Sequence, residues 1–520
     1  MQIGTFCVKT LEGATGPLLT GFQMKEETTH HTGSDLDKPS TGRREAWALT
    51  PSEISEITEV IRNAQQQTSQ RSEWLTVSLP VPETDPLALL EQFTEEQEIY
   101  YWEQQDHDFS LASGGAATVL KTTGRNRFEE MGSLVRSLHK RIVNWSPIQH
   151  SLAEPLLLGG YSFSDYAVRS PWNRFGAARF ILPEWTLKRS GRLCLLSLAV
   201  PIKEEDPEQL TTRLVNKLKK FSSIQQKLQE HTFRPGKERS GILKIQESSE
   251  TREVWNRKVN RLRQNIHAGE YKKVVLARTL DLTSEEPIQA TRVVHTLRYR
   301  YSGCYTFLIR AAGGPCFAGS TPERLLSLRK QSMLTEGLAG STPRGKSASE
   351  DASLGLNLLG SKKERSEHRY VVRDIERALE PVSEEIDFPS TPVIKRLQNV
   401  QHLYTPIRAR IREGYGIHEL AGRLHPTPAV GGYPSTSAIP AIEELEPFDR
   451  GWYAGPVGWC TTDGSGEFAV AIRSALIEGS SARLFAGCGI VADSDPDREW
   501  NETELKLEPL LEALGQAASG

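Results

Sequence analysis

The chain has 520 residues, and its 63 Lys and Arg against 66 Asp and Glu leave a net charge of −3. That balance excludes a protein held to nucleic acid by bulk positive charge, and no run approaches the ~18 apolar residues that would span a bilayer. With 38% apolar and 25% charged residues, the composition is that of a soluble globular protein with enough apolar side chains for a sizeable core. Length predicts two to four domain-sized units or one large mixed domain. The N-terminal MQIGTFCVKTLEG has no basic stretch ahead of an apolar one, so no signal peptide is expected. The six cysteines, at 7, 194, 304, 316, 460 and 488, form no CxxC pair. They read as isolated thiols of a reducing, cytoplasmic compartment rather than a disulfide or zinc framework.

In chain order, the first ~110 residues are polar and weakly patterned, with no predicted element. RFGAARFIL and RLCLLSLAVPI are short strand-like runs,. The segment 203–231 has helical spacing in LVNKLKKFSSIQQKLQ,. KERSGILKIQESSE reads as a linker and places the best internal boundary near 245. A helix over VWNRKVNRLRQNIHAG is predicted to end at Gly269,. YKKVVLARTLDL follows as a strand, and CYTFLIR with CFAGS as a hairpin,. SKKERSEHRYVVRDIERALEP is a helix stopped by Pro381,. GWYAGPVGWCTTDGSGEFAVAIRSALI reads as two strands joined by a Gly-rich turn, and RLFAGCGIV as another strand. DPDREWNETELKL starts a helix with Asp495 as N-cap and Pro496 in the first turn,. The irregular alternation, without a βαβ rhythm, predicts an α+β fold with a mostly antiparallel sheet.

Several charges fall on apolar faces. The helix from Ser361 carries its apolar stripe on Val371, Ile375, Ala378 and Leu379, and stepping back along it reaches Glu367 and Glu364. Glu499 and Glu502 form a second Glu-x-x-Glu pair in the first turns of the C-terminal helix. Buried carboxylates are costly unless paired or metal-bound, and these oxygens suit a hard cation such as Mg²⁺. The alternative is ordinary charged faces at helix N-termini, where Glu is favourable. Strand alternation puts Lys273 on the face of Val275 and Ala277, where it either acts as a base after losing its proton or reaches water at the strand end. Arg473, inside the apolar strand AVAIRSALI, requires a carboxylate, either a ligand's or an internal one. GCG at 487–489, following the strand RLFA, permits close backbone approach. His402 by itself reads as a satisfied core histidine.

KVVLAR, FAGSTPERLL, EGLAGSTPRG, KKERSEHRYVV, LHPTPAVGG, GWYAGPVGW, FAVAIRSA and AGCGIVADSDPDREWNET occur in this order. Together they resemble the chorismate-utilising enzymes: isochorismate synthases, salicylate synthases, anthranilate synthase large components and aminodeoxychorismate synthases. The resemblance covers about residues 250–515. It implies one large α+β fold of two layered, mostly antiparallel sheets flanked by helices. Residues 1–245 then supply the N-terminal half of the shared core, and 246–520 the chorismate-binding catalytic region. It implies Mg²⁺ held by Glu367 and Glu502, with Glu364 and Glu499 as outer, water-mediated neighbours. The metal would grip the ring carboxylate of chorismate. Arg473 would clamp the enolpyruvyl carboxylate with Tyr453 nearby. Lys506 and the backbone of Gly340, Ser341, Gly487 and Gly489 would be further substrate contacts, and His402 would stand near the ring. A monomer is implied as well.

The same resemblance sorts the subclass. Lys273 stands where anthranilate synthases carry a glutamine-like residue, and is shared with the water-adding enzymes. Ala339 occupies the position of the nucleophilic lysine of aminodeoxychorismate synthases. Glu323 in TPERLL resembles the general acid. The expectation is therefore an isochorismate synthase, of the menaquinone type on the long N-terminal half and the spelling of LAGSTPRG and LHPTPAVGG. A siderophore-pathway isochorismate synthase, a salicylate synthase and a non-catalytic chorismate-binding paralogue are the alternatives. Cys488 and Val430 depart from the usual Ala and Leu of the family.

Overall fold

The computed structural model describes residues 47–518, apart from 67–71, 166–167, 203–204, 231–242, 247–249 and 399. The readings of the N-terminal leader region, of Cys7 and of most of the 237–250 linker lie outside the described residues. Among those described, Leu243–Ile245 of the linker is a short edge strand.

Two large sheets carry the fold, one of thirteen strands and one of ten. Every strand pairing is antiparallel except that of Trp74–Val81 with Ile142–Trp145. The expected α+β class and layered antiparallel sheets are what the chain forms. Strands from the two halves meet in both sheets. Ile99–Gln104 pairs with Tyr305–Arg310 in the larger sheet, and Leu156–Tyr161 pairs with Pro456–Thr461 in the smaller.

The larger sheet is buried on both faces, which its strands record. Ile99–Gln104 is buried at every position. Strand alternation sends Tyr100 and Trp102 into the core shared with the smaller sheet, and Ile99 and Tyr101 into the core beneath the helices,. Helices Pro51–Gln66, Pro207–Glu230, Ala290–Arg300 and Pro496–Ala517 contribute apolar residues to that second core. The described residues between 47 and 110 thus form elements that their weak patterning did not predict. Helix Pro51–Gln66 buries Ile57, Ile61 and Ala64 at helical spacing, and Trp74–Val81 is almost wholly buried.

Helix ends follow the local chemistry. Gly269 closes Arg252–Ala268 at φ +85°, a left-handed conformation that glycine adopts freely,. Ser361 caps Lys362–Leu379 by accepting from the Glu364 N–H at 3.3 Å, and Asp495 caps Pro496–Ala517 by accepting from the Arg498 N–H at 3.0 Å,.

Two readings of the C-terminal half are corrected. AVAIRSALI is not one strand. Gly466–Val470 belongs to the smaller sheet and Ser474–Glu478 to the larger, so the chain crosses between layers at 471–473. Arg473 occupies that crossing at φ +52°. A continuous apolar run conceals the break, because both strands are buried. GCG does not follow a strand but lies within one, Ser481–Ile490. No helix among the described residues is long and apolar enough to cross a membrane.

Candidate active site

The candidate residues converge on one cavity of about 160 Å³. That is roughly ten times the space a single buried water needs. Every residue given a catalytic, metal or substrate role above lines it: Lys273, Glu323, the four helix glutamates, Gly340, Ser341, His402, Tyr453, Arg473, Gly487, Gly489 and Lys506.

Lys273 opens the strand Lys273–Ser284 and is buried with Val275 on the cavity face. The lysine also accounts for the glycine opposite Val275 in the next strand, Gly489. A Cβ on Gly489 would come within 2.7 Å of Lys273 Cε, so only glycine leaves the lysine its path. Among the described residues, the other edge of this strand has short partner strands at its two ends, Gly432–Tyr433 at 273–274 and Leu243–Ile245 at 282–284. Between them, side chains satisfy the open edge. Glu446 accepts from the Ala277 N–H at 2.7 Å, and Arg450 donates to the Val275 carbonyl at 2.8 Å and the Val430 carbonyl at 2.9 Å. The two side chains join each other at 2.7 Å. This buried pair was not foreseen. Its signal was an i, i+4 Glu–Arg pair in ELEPFDR, which solvated helix faces display equally often.

Glu323 and Arg473 sit at two of the places where the chain passes between the sheets. Cys316–Thr321 belongs to the larger sheet and Arg324–Arg329 to the smaller, with Pro322 and Glu323 between. The crossings are stitched together. The Val470 N–H donates to the Glu323 carbonyl at 3.0 Å, and the Ser320 N–H donates to the Arg473 carbonyl at 3.1 Å. Burial, then the nearby Glu336 carboxylate, pushes the Glu323 carboxyl up to about 7, against the opposing pull of Lys273, Lys395 and Lys506,. The guanidinium of Arg473 is buried and held below its ordinary value by that burial. It has no salt bridge among the described residues, which suits it to an incoming anion.

The other wall is acidic. Burial and then Glu367 hold Glu364 above its ordinary value. Burial and then Glu502 push Glu499 up to about 7. For Glu502 burial opposes ionisation, but Lys506, which donates to its Oε1 at 2.6 Å, helps to bring it below its ordinary value. Carboxylates crowded this way fit a hard cation that would relieve their repulsion. Among the described residues no three His, Cys, Asp or Glu side chains form a group that could hold a metal ion alone. That donor set suits Mg²⁺, which relies on one or two carboxylates, waters and a ligand anion, better than a caged structural zinc.

Gly340 joins this wall to the sheet. It lies at a register shift in Ser332–Pro343, at φ +78°, and a Cβ there would meet Glu364 Oε2 at 2.9 Å. His402 is not a fully satisfied core histidine. Its Nδ1 contacts Ser341 Oγ at 2.9 Å and the Gly340 carbonyl at 3.3 Å, while its buried Nε2 has no protein partner. Burial, then Arg473 and Lys506, lowers the imidazole to about 3. A carbonyl only accepts, so that contact puts the proton on Nδ1 and leaves Nε2 as a free acceptor at the cavity. Tyr453 stacks on Phe485 at 5.0 Å, its hydroxyl fitting over Gly487, where a Cβ would stand 3.1 Å from it. Lys506 also donates to the Gly487 carbonyl at 2.8 Å. Val430 lines the cavity, whereas Cys488 is buried off it.

Over residues 59–515 the chain matches the family described as chorismate binding enzyme, well beyond the 250–515 span of the motifs. It is 36% identical over 423 residues to the isochorismate synthase MenF of Bacillus subtilis, covering 80% of this chain and 88% of that protein. It is 38% identical over 457 residues to the salicylate biosynthesis isochorismate synthase of Pseudomonas aeruginosa, covering 86% and 92%. Among solved structures it resembles the menaquinone-specific isochorismate synthase MenF of Escherichia coli, with a TM-score of 0.69 at 26% identity over 89% of this chain and 99% of that one.

Proposed function

This chain belongs to the chorismate-binding enzyme family, and from that premise we propose that it is a Mg²⁺-dependent isochorismate synthase that interconverts chorismate and isochorismate in the cavity between Lys273 and Glu323. The observation that carries this reading is the meeting of a buried lysine and a buried, proton-holding carboxyl in one cavity with the unpaired Arg473. Arg473 binds the enolpyruvyl carboxylate, and Tyr453 shapes the pocket beside it. Glu367 and Glu502 would hold the metal, with Glu364 and Glu499 as outer neighbours. When bound, Mg²⁺ neutralises the ring carboxylate.

Lys273, as the base, accepts a proton from the water that attacks C2. Glu323, protonated, donates to the departing C4 oxygen. The double bonds shift, and one water has been added and one lost. Each proton transfer contributes about 10²–10⁴-fold. Burial supports the acid role by keeping the Glu323 proton in place near neutral pH,. His402 Nε2 is an acceptor for a substrate hydroxyl. Near-neutral total charge supports a small anion rather than nucleic acid as partner.

The pathway reading is menaquinone biosynthesis, supported by the relatives named MenF. The relative from P. aeruginosa favours a second reading, supply of isochorismate for salicylate. It covers as much of the chain, so the length of the N-terminal half does not separate the two. Incubating purified protein with chorismate and Mg²⁺ and separating the products tests the reaction. Isochorismate as sole product is expected. Salicylate with pyruvate, anthranilate in the presence of ammonia, or no product would overturn it.

A further inference from the structure

Lys395 and Glu336 form an ion pair outside the cavity wall. Lys395 Nζ stands 3.2 and 3.4 Å from the two Glu336 oxygens. Neither residue lines the cavity; Glu336 opens the EGLAGSTPRG motif, but no role is read for it or for Lys395. Both reach past each other to the backbone around Glu323. Lys395 donates to the Pro322 carbonyl at 3.1 Å. Glu336 accepts from the Arg324 N–H at 3.0 Å. The peptide groups on both sides of Glu323 are therefore gripped by opposite ends of one ion pair.

This grip falls where regular pairing cannot act. Pro322 and Glu323 lie between Cys316–Thr321 and Arg324–Arg329, in the passage from one sheet to the other. The ladder between Arg324–Arg329 and Gly466–Val470 shifts register beside Arg324. Beyond Arg324, its guanidinium is occupied with Glu467 at 3.1 Å, so Glu467 takes the Arg324 charge and leaves Glu336 to Lys395.

We propose that Lys395 and Glu336 are positioning residues for the acid arm of the site, clamping the chain on either side of Glu323 and setting the field across its carboxyl. The proposal rests on the reading of Glu323 as general acid. Charges reach Glu323 from several elements: Glu336 and Lys395 from their strands, Lys273 from its own, and Lys506 from the C-terminal helix. Arg473, His402 and the four helix glutamates line the same cavity. Glu336 and Lys395 act on the Glu323 carboxyl in opposite senses, raising and lowering it. Their signs make the proposal testable, because loss of a merely structural contact has no reason to move an ionisation one way in one variant and the opposite way in the other.

The experiment is the pH profile of kcat/KM in the full chain with Mg²⁺ and chorismate. An acid that must hold its proton produces the limb on which activity falls as pH rises. Lys395→Met should move that limb up by about one pH unit and Glu336→Gln down by about as much, and the double variant should return it near the unsubstituted position. Limbs that stay in place, or that move the same way in both single variants, would overturn the clamp. If Glu336→Gln does not fold, the sign in Lys395→Met decides: an upward shift supports the proposal, and an unmoved or downward limb overturns it. Glu323→Gln separates the two claims. Near-full activity there removes the acid role itself. Lost turnover there, with unmoved limbs in the pair variants, leaves the acid role standing and sinks the clamp.

Discussion

Beside Lys273 the Glu446–Arg450 pair is sealed, at 2% and 4% exposure; outside Glu323 the Glu336–Lys395 pair is sealed at its carboxylate, 3%, and open at its lysine, 26%. Both pairs satisfy backbone groups that no neighbouring strand reaches. The sealed pair holds three elements together: the Lys273 strand, the loop at Val430 and its own helix end. Its arginine also lines the cavity beside Tyr453, but the pair's hydrogen bonds go to backbone and between its two side chains. The half-open pair faces an ionisable carboxyl, so its charges also bear on chemistry. The contrast teaches that similar buried ion pairs serve different ends according to what stands beside them: an open sheet edge in one case, a titrating group in the other.

The comparison breaks most severely if the central groups are not what they are taken to be. Lys273→Ala and Glu323→Gln should each lower turnover by about 10²–10⁴-fold with an unchanged melting curve; near-full activity in either would remove that residue from its role. Next in size, Glu446→Ala leaves Arg450 buried and unpaired and should cost about 3–5 kcal/mol of stability, measured by denaturant unfolding. An equal loss in Lys395→Met would erase the distinction between the pairs, because the open lysine predicts a smaller one.

Gly489→Ala tests the base wall more gently. The new methyl would displace the Lys273 side chain and lower kcat by about ten- to a hundredfold, with the fold retained. Glu502→Ala should raise the Mg²⁺ concentration for half-maximal rate at least tenfold, and Glu499→Gln by about tenfold or less; an unchanged Mg²⁺ titration in Glu502→Ala takes it out of the ligand set. Smallest is the pH effect in the unsubstituted enzyme. Glu323 must be protonated to donate and its carboxyl lies at about 7, so kcat/KM should fall as pH rises through that value. A flat profile to pH 9 would place the acid elsewhere.

Much of the site was legible in the chain because its residues sit in contiguous motifs whose local spacing survives folding. Glu364 and Glu367 lie one turn apart on the Ser361-capped helix, as do Glu499 and Glu502 behind Asp495; both pairs line the cavity, the first as its apolar stripe required. The strands of the first ~110 residues were not legible, whereas RFGAARFIL and RLCLLSLAVPI were. Ile99–Gln104 is buried on both faces and shows no alternation to detect. The break at Arg473 was hidden for the same reason.

The sequence by itself determined the kinds of groups present and the local geometry that brings neighbours within a turn or a strand to one face. Hydrogen-bonding patterns within single elements are short-range, so motifs suffice for them. Only the tertiary structure decided that Glu323 and Arg473 stand at adjoining crossings between two sheets, that Glu336 and Lys395, 59 residues apart, meet outside Glu323, and that Glu446 and Arg450 complete the edge of the Lys273 strand. Those contacts depend on where sheet pairing runs out. That is a property of the assembled layers, and no local stretch of chain encodes it.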